Sequence, residues 1–164
     1  MDTITPPSSA SDQPEPTSLS VLLTHVLLFL RNTSFNRTNK IHFLNDSAFL
    51  PCLMAFLSSR SQHPRVRAYS AACLWSVLFN HQGVKAAINT DDVRGELTLL
   101  QSEYQRTADI TTYSQYISDR TDPPAESPVS MMSRTREQET KANQRMAQFT
   151  NLALTGILNL LEAN

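Results

Sequence analysis

Leu30-Arg31-Asn32-Thr33-Ser34-Phe35-Asn36 and Leu74-Trp75-Ser76-Val77-Leu78-Phe79-Asn80 stand forty-four positions apart, and their correspondence decides the fold. At the same offset Leu44, Asn45 and Leu53 fall on Ile88, Asn89 and Leu97. Each copy reads as a long apolar helix, a sharp polar turn, a short helix, an Asx-type cap and an amphipathic helix. A period in the low forties is that of two- or three-helix stacked repeats. The stretch from Ala153 to Leu161 has the look of a third copy beginning. Such a unit cannot bury its faces alone, so successive units stack and the ends need capping.

Outward from these segments the periodicity is helical throughout. From Thr17 or Ser18, either one an N-cap, the residues Leu19, Leu22, Leu23, Val26, Leu27 and Leu30 recur at three- and four-residue spacing. Asp46 and Ser47 cap a helix that tolerates Pro51 in its first turn and carries Leu50, Leu53, Met54 and Leu57 on one side. Pro64 opens a helix with apolar residues on nearly every side, from Val66 through Cys73 and Trp75 to Phe79, which only a helix with neighbours all round requires. Gly83 is its expected stop. Asp91 or Asp92 caps a helix with a stripe of Val93, Leu97, Leu100 and Tyr104, and a last helix, about 143 to 161, aligns Met146, Phe149, Ala153, Ile157 and Leu160. No segment alternates as a strand does.

Two stretches lack this patterning. Residues 1–16 hold Pro6, Pro7, Pro14 and Pro16 among Ser, Thr and Asp, and are expected to form a disordered tail. Pro123, Pro124 and Pro128 sit in a second polar stretch, so 107–142 is expected to be an extended linker. The organisation expected is therefore a tail over 1–16, helical repeats over 17–106, the linker over 107–142, and a C-terminal helix over 143–164 packing on the repeats.

The segment Pro64 to Asn80, with its proline-led start, small residues and Ala72-Cys73-Leu74-Trp75 step, resembles the central helices of an armadillo repeat. More narrowly, Leu30 to Lys40, then Trp75 to Ala86, then a closing helix ending Leu160-Leu161, is similar to the C-terminal armadillo-like region of the rotatin family, scaffolds of centrioles and ciliary basal bodies. The resemblance covers about residues 19–106 and, more weakly, 146–162. It implies an all-α, armadillo/HEAT-like right-handed solenoid of about two to two and a half repeats with a capping C-terminal helix. It also implies a structural scaffold in the cytoskeleton of a cilium, basal body or axoneme, within a larger hetero-assembly whose members are other proteins, tubulin or centriolar and axonemal proteins among them. A peptide-binding transport or signalling adaptor of armadillo type in the cytosol is the second reading.

Composition and chemistry point the same way. The 164 residues fit one domain with tails, and 14 basic against 15 acidic residues leave a net charge of -1, without the cationic field that draws nucleic acid. The longest apolar run, Leu19 to Leu30, is interrupted by Ser20, Thr24 and His25 and is shorter than the roughly 20 residues a bilayer demands, so no membrane partner is expected. Cys52 and Cys73 lie among apolar residues and read as buried thiols in a reducing compartment. His25, His42, His63 and His81 have no metal-ligand spacing, Gly83 and Gly95 form no phosphate loop, and no nucleophile stands beside a base. No enzyme activity, cofactor or metal is expected.

The candidate protein-binding residues are Asn36, Asn80, Trp75, Arg60, Arg65 and Arg67. In armadillo carriers of extended peptides, a Trp frames pockets while an Asn four residues later holds the peptide backbone. Here position 79 is Phe and the Asn follows at 80, which turns the amide about 100° around the helix. Trp75 therefore reads as core or as groove. Asn36 and Asn80 read as helix C-caps or as polar steps on a concave face. Arg60, Arg65 and Arg67, with His63, read as a solvated turn or as a cluster that meets an acidic surface of the microtubule kind.

Overall fold

A computed structural model describes residues 17–79, 81–118 and 130–163, with only the backbone described at 87, 110–118 and 130–137. Among these residues there are seven α-helices and no strand: α1 (Ser18–Thr33), α2 (Arg37–Leu44), α3 (Phe49–Ser58), α4 (Pro64–Leu78), α5 (Gln82–Ile88), α6 (Asp91–Ser118) and α7 (Ser130–Glu162). The expected all-α class holds, and the helices pack together around α4, which lies against α1, α3 and α7 while α6 lies against α7.

Local chemistry sets the helix starts. Thr17 caps α1 by accepting from the backbone N–H of Ser20, and its φ, ψ of -71° and 156° leave it outside the helix. The Nδ1 of His63 caps α4 by accepting from the N–H of Arg65, one step before the Pro64 whose missing donor would be an orphan in any case. His81 caps α5 in the same way, through Val84. Three caps fall elsewhere than expected. α3 starts after Ala48 with no side-chain cap, and neither Asp46 nor Ser47 fills that place: Asp46 Oδ1 accepts from the N–H of Ala48 in the turn before it. Thr90 Oγ1, not Asp91 or Asp92, takes the N–H of Val93, and the two aspartates sit in the first turn of α6, where they favour the positive end of the helix. Gly83 lies inside α5, and α4 ends at Leu78 with Phe79 in extended backbone.

α4 is the centre. Val66, Ala68, Ser70, Ala71, Cys73, Leu74, Val77 and Leu78 are all fully buried. Around them close Leu53 and Leu57 from α3, Leu97 and Leu100 from α6, and Leu154, Ile157 and Leu161 from α7. Each such leucine contributes about 2 kcal/mol by leaving water. α4 and α7 run parallel, Tyr69 meeting Phe149 at 6.3 Å and Trp75 lying against Gly156. α1 and α4 have their C-terminal ends side by side, where the buried hydroxyls of Ser34 and Ser76 share a hydrogen bond of 2.6 Å.

The expected linker is a correction. α6 continues through Ser118 and α7 begins at Ser130, so 107–118 and 130–142 are helical where an extended chain is expected. Met, Arg, Glu, Gln and Lys fill much of 130–142 and are good helix formers even without an apolar stripe, whereas 107–118, mostly Thr, Ser, Tyr and Ile, prolongs a helix already begun at Asp91. Prolines 123, 124 and 128 and the tail over 1–16 lie outside the described residues. No single helix among the described residues is long and apolar enough to cross a membrane.

Candidate functional site

The C-terminal ends of α1 and α4 leave an apolar cleft of about 250 Å³ between them, lined by Arg31, Phe35, Ala72, Trp75, Ser76 and Phe79. Small residues open it: Ala72 and Ser76 give α1 room to approach, and Ser76 Oγ reaches the carbonyl of Arg31 at 3.3 Å. Phe35 and Phe79, partners across the forty-four-residue offset, stand at the rim and are both exposed, at 64% and 51%. The guanidinium of Arg31 lies 5.4 Å above the Phe35 ring, a cation–π contact that keeps the arginine at the mouth.

Two contacts fix the walls. The ammonium of Lys40, buried at 4% exposure, donates to the carbonyl of Phe79 and so clips α2 onto the end of α4, where a cation also suits the negative helix terminus. Burial lowers the pKa of this amine from its ordinary value. Trp75 forms one side of the cleft while its indole presses on α7: a Cβ at Gly156 would stand 2.5 Å from Cε2, 2.7 Å from Cζ2 and 2.8 Å from Nε1. Trp75 is thus both a packing residue and a cleft wall, the two readings of the sequence meeting in one side chain.

The surroundings are cationic. Residues 17–45 contain no Asp or Glu and carry Arg31, Arg37 and Lys40. Of the acids over 46–109, Asp46 precedes α3 and the others, Asp91, Asp92, Glu96, Glu103 and Asp109, belong to α6. A second hollow, of about 430 Å³ between α2–α3 and α5–α6, has Asp46 and Glu96 among its lining and the opposite electrostatic character.

The other candidates are dispersed. Asn36 is the N-cap of α2, its Oδ1 accepting from the N–H of Thr38 at 2.9 Å, not the C-cap of α1, because its extended φ, ψ of -81° and 125° break one helix and start the next. Asn80 lies outside the described residues. The arginine cluster is divided by Glu103, which binds Arg60 at 3.1 Å and stands 3.9 Å from Arg67. Arg67 turns inward, donating from Nε to the carbonyl of Leu57 at 3.2 Å and lying 4.9 Å over the Tyr104 ring, while Arg65 is exposed. Local sequence carries no sign of Glu103, thirty-six positions beyond Arg67. The exposure of Phe35 and Phe79 was also unread, although both stand just past a helix end and ahead of Asn, off the buried stripe.

The thiols and imidazoles do not converge. Cys73 is buried, and burial pushes its thiol up to about 12, which suppresses thiolate chemistry. Cys52 is exposed, a correction to the expectation of two core thiols: it stands about 100° round α3 from the buried Leu53, off the side that Leu53 and Leu57 share. His63 is held below the ordinary imidazole range, first by burial and then by the charge of Arg65, so it stays the neutral acceptor its cap requires. Among the described residues no three His, Cys, Asp or Glu side chains gather as a metal ion would need. Comparison with protein-family models, with curated proteins and with solved structures finds no match.

Proposed function

We propose that the chain is a non-enzymatic protein-interaction adaptor, an armadillo/HEAT-like stack of about two to two and a half helical units capped by α7, whose aromatic cleft takes an apolar side chain from an acidic segment of a partner protein. The pairing of Phe35 with Phe79 carries this reading. Equivalent residues of the two copies stand exposed at one mouth, over a small-residue floor and beside an arginine, the anchor-pocket arrangement in which aromatic and Arg side chains dominate binding. The stacking reading is supported by the packing pattern. α1 and α3 lie on α4 as α4 and α6 lie on α7, and the first helices of successive units run alongside one another.

The setting in a cilium, basal body or axoneme, with a microtubule surface or centriolar proteins as partners, rests on the resemblance to rotatin. The acid-free surface over 17–45 suits an acidic partner of that kind through faster encounter and orientation. Trp75, the single tryptophan, is a built-in reporter. Peptides carrying a Leu-Phe pair between glutamates are expected to change its emission saturably. Lysine-flanked versions should not, and Phe79→Ala should abolish the response. Equal responses to both peptides, or an unaltered response in Phe79→Ala, would refute the cleft. Complete extraction of the protein by detergent from ciliated cells would refute the axonemal setting.

A further inference from the structure

α1 is apolar on two sides but packed on one. Leu27 is buried and Leu23 and Leu30 pack on the core, whereas Leu19, Leu22, Val26 and Phe29 are 64%, 59%, 44% and 64% exposed on the other side. With Val21 they present on the order of 500 Å² of bare apolar surface, at the upper end of what monomers leave open. The corresponding face of α4 is not bare. Leu22, Val26 and Phe29 fall at the forty-four-residue offset on Val66, Ser70 and Cys73, each fully buried.

The open side of α7 does not complement this stripe, since Lys141, Arg145, Gln148 and Asn159 are among the residues it exposes, with Leu152 between them, and head-to-tail stacking would strand polar groups against leucines. The stripe complements itself. Its spacing of three, four and three residues is symmetric about the level of Thr24, so a two-fold axis there sets Leu19 against Phe29 of the partner subunit and Leu22 against Val26 of the partner subunit. Arg31 is the one charged residue of α1. In an antiparallel pair the two copies of it stand about 21 Å apart along the axis, beyond the screening length of about 10 Å at moderate salt. A parallel pair would set them side by side. Two copies of the four-residue stripe, which Val21 only flanks, bury about 800–1,000 Å², the size of a weak and reversible association.

We propose that this protein self-associates through α1, two copies pairing antiparallel along Leu19, Leu22, Val26 and Phe29. The interface is distinct from the cleft and is tested without it. Sedimentation equilibrium of the full chain from low to high micromolar concentration is expected to show a reversible monomer–dimer equilibrium. Leu22→Glu with Val26→Glu should weaken it by at least about 100-fold, from burying unpaired charges at the seam, with unchanged far-ultraviolet circular dichroism. Leu152→Glu should leave it intact. In a Cys52→Ser background, Leu19→Cys and Phe29→Cys proteins mixed together are expected to form a mixed disulfide in preference to either homodimer. A monomer at every concentration, a dimer that survives the double Glu substitution, or preferential Leu19→Cys homodimers would each overturn the proposal, the first assigning the face to a helix of another protein.

Discussion

Alanine in place of glycine should have opposite effects in the two long helices. At Gly95 in α6, an added Cβ meets nothing within 4 Å, so Gly95→Ala is expected to stabilise by about 0.5–1 kcal/mol through reduced backbone freedom. At Gly156 in α7 the same methyl would lie 2.5–2.8 Å from three atoms of the Trp75 indole. The indole is rigid and packed, so either Trp75 rotates or α7 retreats from α4, an overpacking cost of about 1–3 kcal/mol. Helix propensity is common to both sites and cancels. The difference between the two substitutions is therefore about 1–3 kcal/mol in favour of Gly95→Ala, or several degrees in Tm for a chain of this size. Urea titrations followed by circular dichroism measure it, and Trp75 emission reports whether the indole moves. In a Trp75→Leu background, Gly156→Ala should lose its penalty. Equal effects at the two glycines, within about 0.5 kcal/mol, would show that α7 does not approach α4 closely at this point.

Three further outcomes follow from the geometry. Arg67→Met should cost roughly 1–3 kcal/mol in a urea titration, by removing the bond to the Leu57 carbonyl and the stacking on Tyr104, whereas Arg60→Met and Arg65→Met should stay within about 0.5 kcal/mol. Ser34→Ala and Ser76→Ala should each cost up to about 1 kcal/mol, since the remaining hydroxyl keeps the Arg31 carbonyl as its acceptor, and the double substitution should cost clearly less than the sum, because both single changes remove the same shared bond. The folded state holds the Cys73 proton to about pH 12 while the unfolded chain releases it near 9.0. The contribution of that thiol is thus complete below pH 9 and is lost as pH rises toward 12. From pH 9 to 10 the wild type should lose on the order of 1 kcal/mol from this source, and Cys73→Ala should show a flatter urea midpoint over that interval.

How much of this was readable in advance depends on whether the deciding contact is local. α4 declared itself because its apolar residues run round the whole helix, and a helix of that kind must be enclosed. The stripe of Leu97, Leu100 and Tyr104 faces the core as its spacing requires. The length of α7 was hidden because 130–142 has helix-forming residues without an apolar stripe, so periodicity had nothing to register; that of α6 was hidden because Thr and Ser over 107–118 outweighed the helical spacing of Ile110, Tyr113 and Ile117. In α7 the sequence stripe caught Ala153 and Ile157 but not the fully buried Leu154 and Leu161. The cleft was half legible: Trp75 and the forty-four-residue correspondence of Phe35 with Phe79 could be read from the sequence, but the meeting of those two rings at one mouth depends on how closely Ala72 and Ser76 let α1 approach. Arg67 read as a surface charge because its acceptors, Leu57 and Glu103, come from other helices.

The seating of Trp75 on Gly156 also bears on how the chain is made. Some eighty residues separate the two, so as the chain emerges, one side of α4 is finished long before α7 exists to cover it. At about 5–20 residues per second this interval lasts roughly 4–16 s, long against the microseconds in which helices form. Nascent chains of this protein therefore carry an uncovered greasy flank of α4 for seconds during translation, until α7 arrives to cover it.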